Sequence, residues 1–264
     1  MNTMNPAVTA SWSPARAYVL EAKYELLKLI RMPAYAIPSI AFPIMFYVLF
    51  GLVFAGRGPG GFSMAAYLAA TYGAFGVIGA SLFGFGVGVA VERGQGWMVL
   101  KRATPMPPLA FFTGKLFVCT VFASAIVALL IGLATTLGGV ELPPAAWLTM
   151  SATLIAGAIP FCALGLAAGY LCGPNAAPAI VNLLYLPMAF ASGLWIPIEA
   201  LPPFVKSIAP FLPAYHLAQL ALKSIGAGLD APAWTHLVAL AGFTTIGLAA
   251  ATWAYRRDED KTYG

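Results

Sequence analysis

Five charged residues sit together in a chain that is otherwise almost free of charge. The stretch "VERGQGWMVLKRATPMPPLAFFTGK", Val91 to Lys115, holds Glu92, Arg93, Lys101, Arg102 and Lys115, together with three prolines and Trp97. Carboxylate, guanidinium and ammonium groups at this density can steer and orient a docking partner. Trp97, Met98 and Leu100 can anchor that partner in an apolar pocket. Catalytic patterns are missing. The sequence contains no HExxH, no GxSxG and no GxxxxGK[ST], so neither a zinc nor a serine hydrolase motif is present, and the chain has no P-loop of its own for ATP.

The other candidate groups point away from metal and redox chemistry, and no cofactor is expected. Cys119, Cys162 and Cys172 lie in or at the ends of apolar blocks, with no CxxC and no nearby histidine; they read as small apolar fillers. His216 and His236 read as amphipathic interfacial residues rather than metal or haem ligands. Apart from Lys115 and His236, near the start of their blocks, no acid, base or histidine enters an apolar block. Ion-coupled transporters place ionisable groups in the membrane, so ion-driven transport is disfavoured.

Composition sets the class. The 264 residues are 61% hydrophobic and 9% charged, with a mean hydropathy of +0.85. A soluble domain is about 25% charged, so this chain cannot cover a water-facing surface. A spanning helix needs about 20 apolar residues. Six blocks meet that need, at about 34–55, 64–91, 110–137, 145–172, 176–196 and 235–255. The fourth and fifth are split by Gly173-Pro174-Asn175, a strong turn signal. The expectation is an all-α membrane protein with six spans, a transmembrane domain over 34–257, and tails at 1–33 and 258–264. The net charge of +5 does not signal nucleic acid, because 11 of the 14 basic residues alternate onto one side of this topology. The positive-inside rule then puts both termini and the Val91–Lys115 loop in the cytoplasm, as in a bacterial inner-membrane protein. Glu21, Lys23, Glu25 and Lys28 interrupt any signal-peptide pattern, so the first block reads as an uncleaved anchor.

Two further patterns concern packing. Before the first block, Leu20, Tyr24 and Leu27 fall on one helical face, and Glu21, Glu25 and Lys28 on the other. With Ser13-Pro14 as a start and Pro33 as a stop, and Arg31 near its end, this reads as an amphipathic helix on the membrane surface. In the second block Gly76, Ala80, Gly84 and Gly88 repeat every four residues, a spacing that lets helix backbones approach closely.

The ordered set Glu92-Arg93-Gly94, Gly96, Trp97 to Leu100, Lys101-Arg102-Ala103-Thr104-Pro105 and Gly114-Lys115 resembles the first cytoplasmic loop of type-2 ABC exporter permeases. Gly94-Gln95-Gly96 departs from the Glu- and Leu-rich usage there, so the short helix can begin as late as Trp97. A second match is "SGLWIPIEALPPFVKSIAPFLPAYHLAQL", with Gly193, Pro197, Leu201, Pro202, Pro210 and Pro213. Its prolines forbid a continuous span, and it reads as a re-entrant-like outer hairpin in which Phe204, Val205 and Ile208 bury one side of a short helix. The resemblance implies a permease homodimer, two cytoplasmic ATPase subunits, and a coupling helix seated on the ATPase. The rival reading is an ATP-independent oligomeric pore. Phe42, Phe46, Tyr47, Phe75, Phe83, Phe85, Tyr185, Met188, Phe190 and Trp195 suit a hydrophobic or amphiphilic substrate, drug-like or lipid-like; the family also exports polysaccharides.

Overall fold

The computed structural model describes residues 13–53, 63–104, 106–229 and 231–262, without the side chains at 102, 108 and 258–262. Among them there is no β-strand. The helices, in chain order, are α1 (Pro14–Ile30), α2 (Pro33–Val53), α3 (Met64–Gly94), α4 (Trp97–Arg102), α5 (Pro108–Thr136), α6 (Pro144–Leu171), α7 (Ala177–Ala191), α8 (Pro203–Ile208), α9 (Pro213–Ser224) and α10 (Ala233–Thr262). Prolines mark the starts of most of them, where a missing N–H costs nothing. Ser13 stands before Pro14, but its side chain caps nothing.

Five helices, α2, α3, α5, α6 and α10, are long and apolar enough to cross a membrane. The block at 176–196 yields only α7, whose 15 residues span about 22 Å, short of the ~30 Å hydrocarbon core. Gly193, with φ 77°, turns the chain out of α7 at that point. α2 carries Pro38 and Pro43 in its interior and finishes in a π-helical turn, Tyr47–Val53. α3 contains a second π-helical turn, Phe83–Val87.

α3 is the centre of the molecule, buried along most of its length. Its four-residue stripe faces side chains of α2 and α5. A Cβ at Gly76 would meet Ile126 at 2.8 Å and Pro43 at 2.9 Å, and one at Gly84 would meet Tyr35 at 3.1 Å and Cys119 at 3.3 Å. Ala80 receives a hydrogen bond on its carbonyl from the Tyr35 hydroxyl, 3.0 Å. A close backbone approach lies elsewhere, between α3 and α6. A Cβ at Gly169 would sit 2.8 Å from the Gly86 carbonyl oxygen, and one at Gly165 would sit 3.2 Å from the Gly86 nitrogen. The stripe is therefore a set of sockets, and the Gly165-x-x-x-Gly169 pair makes the backbone crossing.

At one end of the bundle the chain from Ser192 to Ser224 folds back. Ile198, Leu201, Val205, Ala209 and Tyr215 form a small core of their own. Val205 is buried, but Phe204 and Ile208 are exposed, which corrects the expected burial of all three. α9 is buried almost throughout. Pro197 and Pro202 precede the 3-10 turn Ile198–Ala200 and α8, while Pro213 opens α9.

The crossing gives a test. Replacing Gly169 by Val should lower the stability of the purified protein by about 2 kcal/mol or more, the cost of overpacking. Gly132, inside α5 with nothing within 4 Å of an added Cβ, should accept Ala without loss and with a gain of up to about 1 kcal/mol from helix propensity. Thermal unfolding in detergent reads both.

Candidate functional site

The charged packet does not lie in a loose loop. α3 continues to Gly94, which places Glu92 and Arg93 on its last turn. α5 begins at Pro108, which places Lys115 two turns inside it. α1 lies alongside, because Gly114 leaves room for it: a Cβ there would meet Glu21 Cγ at 3.0 Å and the Ala22 nitrogen at 3.4 Å. A Cβ at Gly88, the last member of the α3 stripe, would stand 3.6 Å from Lys115 Nζ, an ordinary contact distance.

Four charges from three helices meet in this space. Lys115 Nζ donates to Glu25 Oε1 at 2.6 Å and to Glu92 Oε1 at 2.9 Å. Lys28 Nζ donates to Glu25 Oε2 at 2.7 Å and also to Glu92 Oε1. The Lys115 side chain is 2% exposed and that of Glu25 5%. Two ammoniums against two carboxylates leave the cluster neutral. Burial alone would push the Glu25 carboxyl up, but the ammonium groups of Lys115 and Lys28 outweigh it and hold it below its ordinary value.

The rest of the packet is used nearby. Lys101 on α4 pairs with Glu21 on α1. Two ammoniums lie over the Phe111 ring, Lys101 Nζ 4.4 Å and Lys115 Nζ 5.1 Å from its centroid, in cation–π contact. Arg93 donates to the carbonyls of Tyr170 and of Cys172, the latter at 3.0 Å. It thereby ties the end of α3 to the end of α6. Gly94 accepts Pro174 of the following turn, where a Cβ would meet Pro174 Cγ at 2.6 Å. Arg31 is exposed and takes no part in these pairs.

Gly96, with φ 77°, turns the chain into α4, and this left-handed conformation favours glycine. The helix starts at Trp97. Trp97 is 50% exposed, Val99 58% and Leu100 59%, and the indole Nε1 donates to Gln95 at 3.0 Å. Met98 instead turns inward and helps line a cavity of about 580 Å³ with Leu109, Phe112, Tyr170 and Tyr255. The Arg102 side chain and Pro105 lie outside the described residues. On α1, Val19, Leu20 and Tyr24 are exposed while the acids face inward.

Two further constellations are present. Phe42, Phe46, Phe75, Phe83, Tyr185 and Trp195 surround a cavity of about 490 Å³ between α2, α3 and α7; Tyr47 and Phe85 are buried elsewhere in the core. At the opposite end of the bundle, His216 and His236 are partners rather than separate interfacial residues, with their Nδ1 atoms 2.9 Å apart. The Pro210 carbonyl accepts from His216 Nε2 at 2.9 Å. In the neutral pair His216 Nδ1 must then accept from His236 Nδ1. Burial pushes His216 below its ordinary value.

The ABC-2 type transporter family model matches residues 17–225. This chain belongs to that family. The match runs from α1 through α9 and includes every member of the ion cluster. The chain is also 26% identical over 235 residues to the Bacillus subtilis (strain 168) protein named "Putative transport permease YvfS", covering 89% of this chain and 95% of that one. Membership makes the chain a multi-pass membrane component of a transporter rather than an enzyme.

Within this ABC-2 chain the cluster is testable by charge count. Lys115→Met leaves one uncompensated buried carboxylate and should cost about 3–5 kcal/mol. Adding Glu25→Gln restores neutrality and should recover part of that loss. Because the folded Glu25 carboxyl sits below its ordinary value of 4.5, its contribution is present above that pH and is lost as the pH falls through the folded value. The wild type should lose resistance to unfolding as the pH falls below about 4.5, and Glu25→Gln should reduce that dependence.

Proposed function

We propose that the chain is the permease subunit of an ATP-driven exporter, coupled through α4 to a separate cytoplasmic ABC ATPase. The observation that carries this is the exposed apolar row Trp97, Val99 and Leu100, on a six-residue helix that lies outside the long apolar helices. Exposed apolar side chains rimmed by polar groups mark a partner surface. The family supports an ATPase partner, and the chain has no P-loop of its own. Glu92, Arg93 and Lys101 are engaged within the molecule, so in this reading they position α4. Trp97 and Leu100 meet the partner, with Val99 beside them, and Met98 braces the helix from within.

The rest follows from this assignment. α7 serves as the fifth of six crossings and is completed by the outer hairpin. The basic residues put both termini and α4 in the cytoplasm, in a bacterial inner membrane, with the transmembrane domain over 34–257. The exposed row of α1 lies in the lipid interface. Two copies of the chain pair around the pathway, with two ATPases below. The substrate is a hydrophobic or amphiphilic compound that enters beside the aromatic cavity.

A photoreactive probe at Val99, in membranes, should capture a P-loop ATPase. Changing Trp97 and Leu100 together to Asp should remove at least nine-tenths of the capture and abolish ATP-dependent transport. If transport by the reconstituted chain proceeds without nucleotide and no ATPase is captured, the pore reading replaces this one.

A further inference from the structure

We propose that the His216–His236 pair is an acid-released latch: it holds the first turns of α10 against α9 while both imidazoles are neutral, and lets them go when the pair takes up a proton. The inference stands apart from the exporter reading, because it uses only the packing of α9 and α10. In the topology proposed above, this end of the bundle faces outward, so the proton comes from the outer side.

The two rings are locked into one arrangement. The Pro210 carbonyl has no proton to give, so His216 Nε2 carries one and donates it at 2.9 Å. A neutral imidazole then has no proton on Nδ1. His236 Nδ1 faces that atom at 2.9 Å and must be the donor. His236 Nε2 is left as the pair's unengaged nitrogen, buried and without a hydrogen-bond partner. A proton added there makes a cation with a buried N–H that nothing accepts, which is costly. A proton added at His216 Nδ1 instead sets two N–H groups against each other. In both cases water serves the charged pair better than the docked arrangement does.

The surroundings offer the charge nothing in return. Tyr215 on α9 packs against both rings, 5.5 Å and 5.9 Å between centroids, and it stays neutral in acid. Lys223, also on α9, is an ion that acts on His236, and it is positive. From the folded-back segment, Glu199 acts on Tyr215 and on Tyr67 of α3, and Lys206 donates to the Glu199 carbonyl. Among the described residues, no carboxylate is bonded to either imidazole. The part of α6 that packs on α9, Pro144–Ala156, has no ionisable side chain. On α7 the Tyr185 hydroxyl is engaged by the Phe75 carbonyl.

The start of α10 depends on this contact. Trp234, Leu237 and Val238 are exposed, while His236 is 2% exposed, and the next buried residue is Leu240. A cavity of about 630 Å³ lies beside the joint, lined by Leu220 and Lys223 of α9 and by Ala233 and Leu237 of α10, so side chains do not brace α10 there. Burial holds the His216 imidazole below its ordinary value of 6.5, and the docked state therefore binds fewer protons than the released one. The latch is complete above about pH 6.5 and weakens as the pH falls below it.

The chain has two histidines, so isotope-labelled histidine in the full chain, in nanodiscs, reports the pair alone by magnetic resonance. At about pH 7.5 the spectrum should show one ring protonated on Nε2 and the other on Nδ1. Hydrogen exchange read by mass spectrometry, corrected for the intrinsic effect of pH, then follows the latch. Between about pH 7.5 and about pH 5.5 the amides of Leu237 to Leu240 should open about tenfold more, the effect of one proton taken up below 6.5. Those of α3 should not change, because this range lies above that in which Glu25 titrates. His216→Gln combined with His236→Asn replaces both rings by amides, which donate and accept without titrating; the response should then fall below about twofold. If that chain does not fold, the spectrum and the exchange of the wild type decide alone. Two rings of the same tautomer, an unchanged start of α10 across this range, or a full response in the doubly substituted chain would each overturn the proposal.

Discussion

A lysine ammonium buried among helices is stable only if carboxylates reach it. Taking an ion out of water costs several kcal/mol, and Lys115 is almost fully withdrawn. Its partners, Glu25 and Glu92, come from α1 and from the end of α3. That requirement fixes the geometry around it. α1 must lie against α5, which Gly114 permits, and α3 must present Glu92 at the same level. Lys28 then balances the second carboxylate. A single charge constraint therefore joins α1 to two of the long apolar helices.

α4 hangs from this joint. It follows Glu92 by a few residues, it is tied to α1 through Lys101 and Glu21, and the Phe111 ring of α5 contacts the ammoniums of both Lys101 and Lys115. Arg93 extends the connection to the end of α6. A force on the exposed residues of α4 would reach α1, α3, α5 and α6 through ion pairs and hydrogen bonds rather than through a flexible loop. In this account the packet couples a partner to the bundle by being rigid.

Much of this was legible in the sequence, and what was not has a physical cause. The long apolar helices follow from hydropathy, and α1 from its two-faced periodicity. The start of α4 at Trp97 follows from two glycines before it. The partners of the charges were not legible, because Lys115 and Glu25 are 90 residues apart, and only the fold brings them together. Glu92, Arg93 and Lys101 therefore looked like groups for an external partner. The His216–His236 pair hid for the same reason, across 20 residues. The α3–α6 crossing did leave a signal, Gly165 and Gly169 four apart, but the α3 stripe has the same spacing, and spacing alone does not distinguish a face that meets backbone from one that meets side chains. In the hairpin, helical spacing could not tell which of Phe204, Val205 and Ile208 faces the small core, because the direction of α8 depends on the turns around it.

The central claim is that the buried ion cluster holds α1 and α4 in one fixed relation. Spin labels at Lys23 and Val99, both on exposed positions, would report the distance between the two helices by pulsed electron resonance in nanodiscs. The account predicts a single narrow distance distribution that broadens when Glu25 is replaced by Gln, with the bundle still folded. An equally narrow distribution in the Glu25→Gln variant, or a broad one in the unsubstituted cluster, would contradict it.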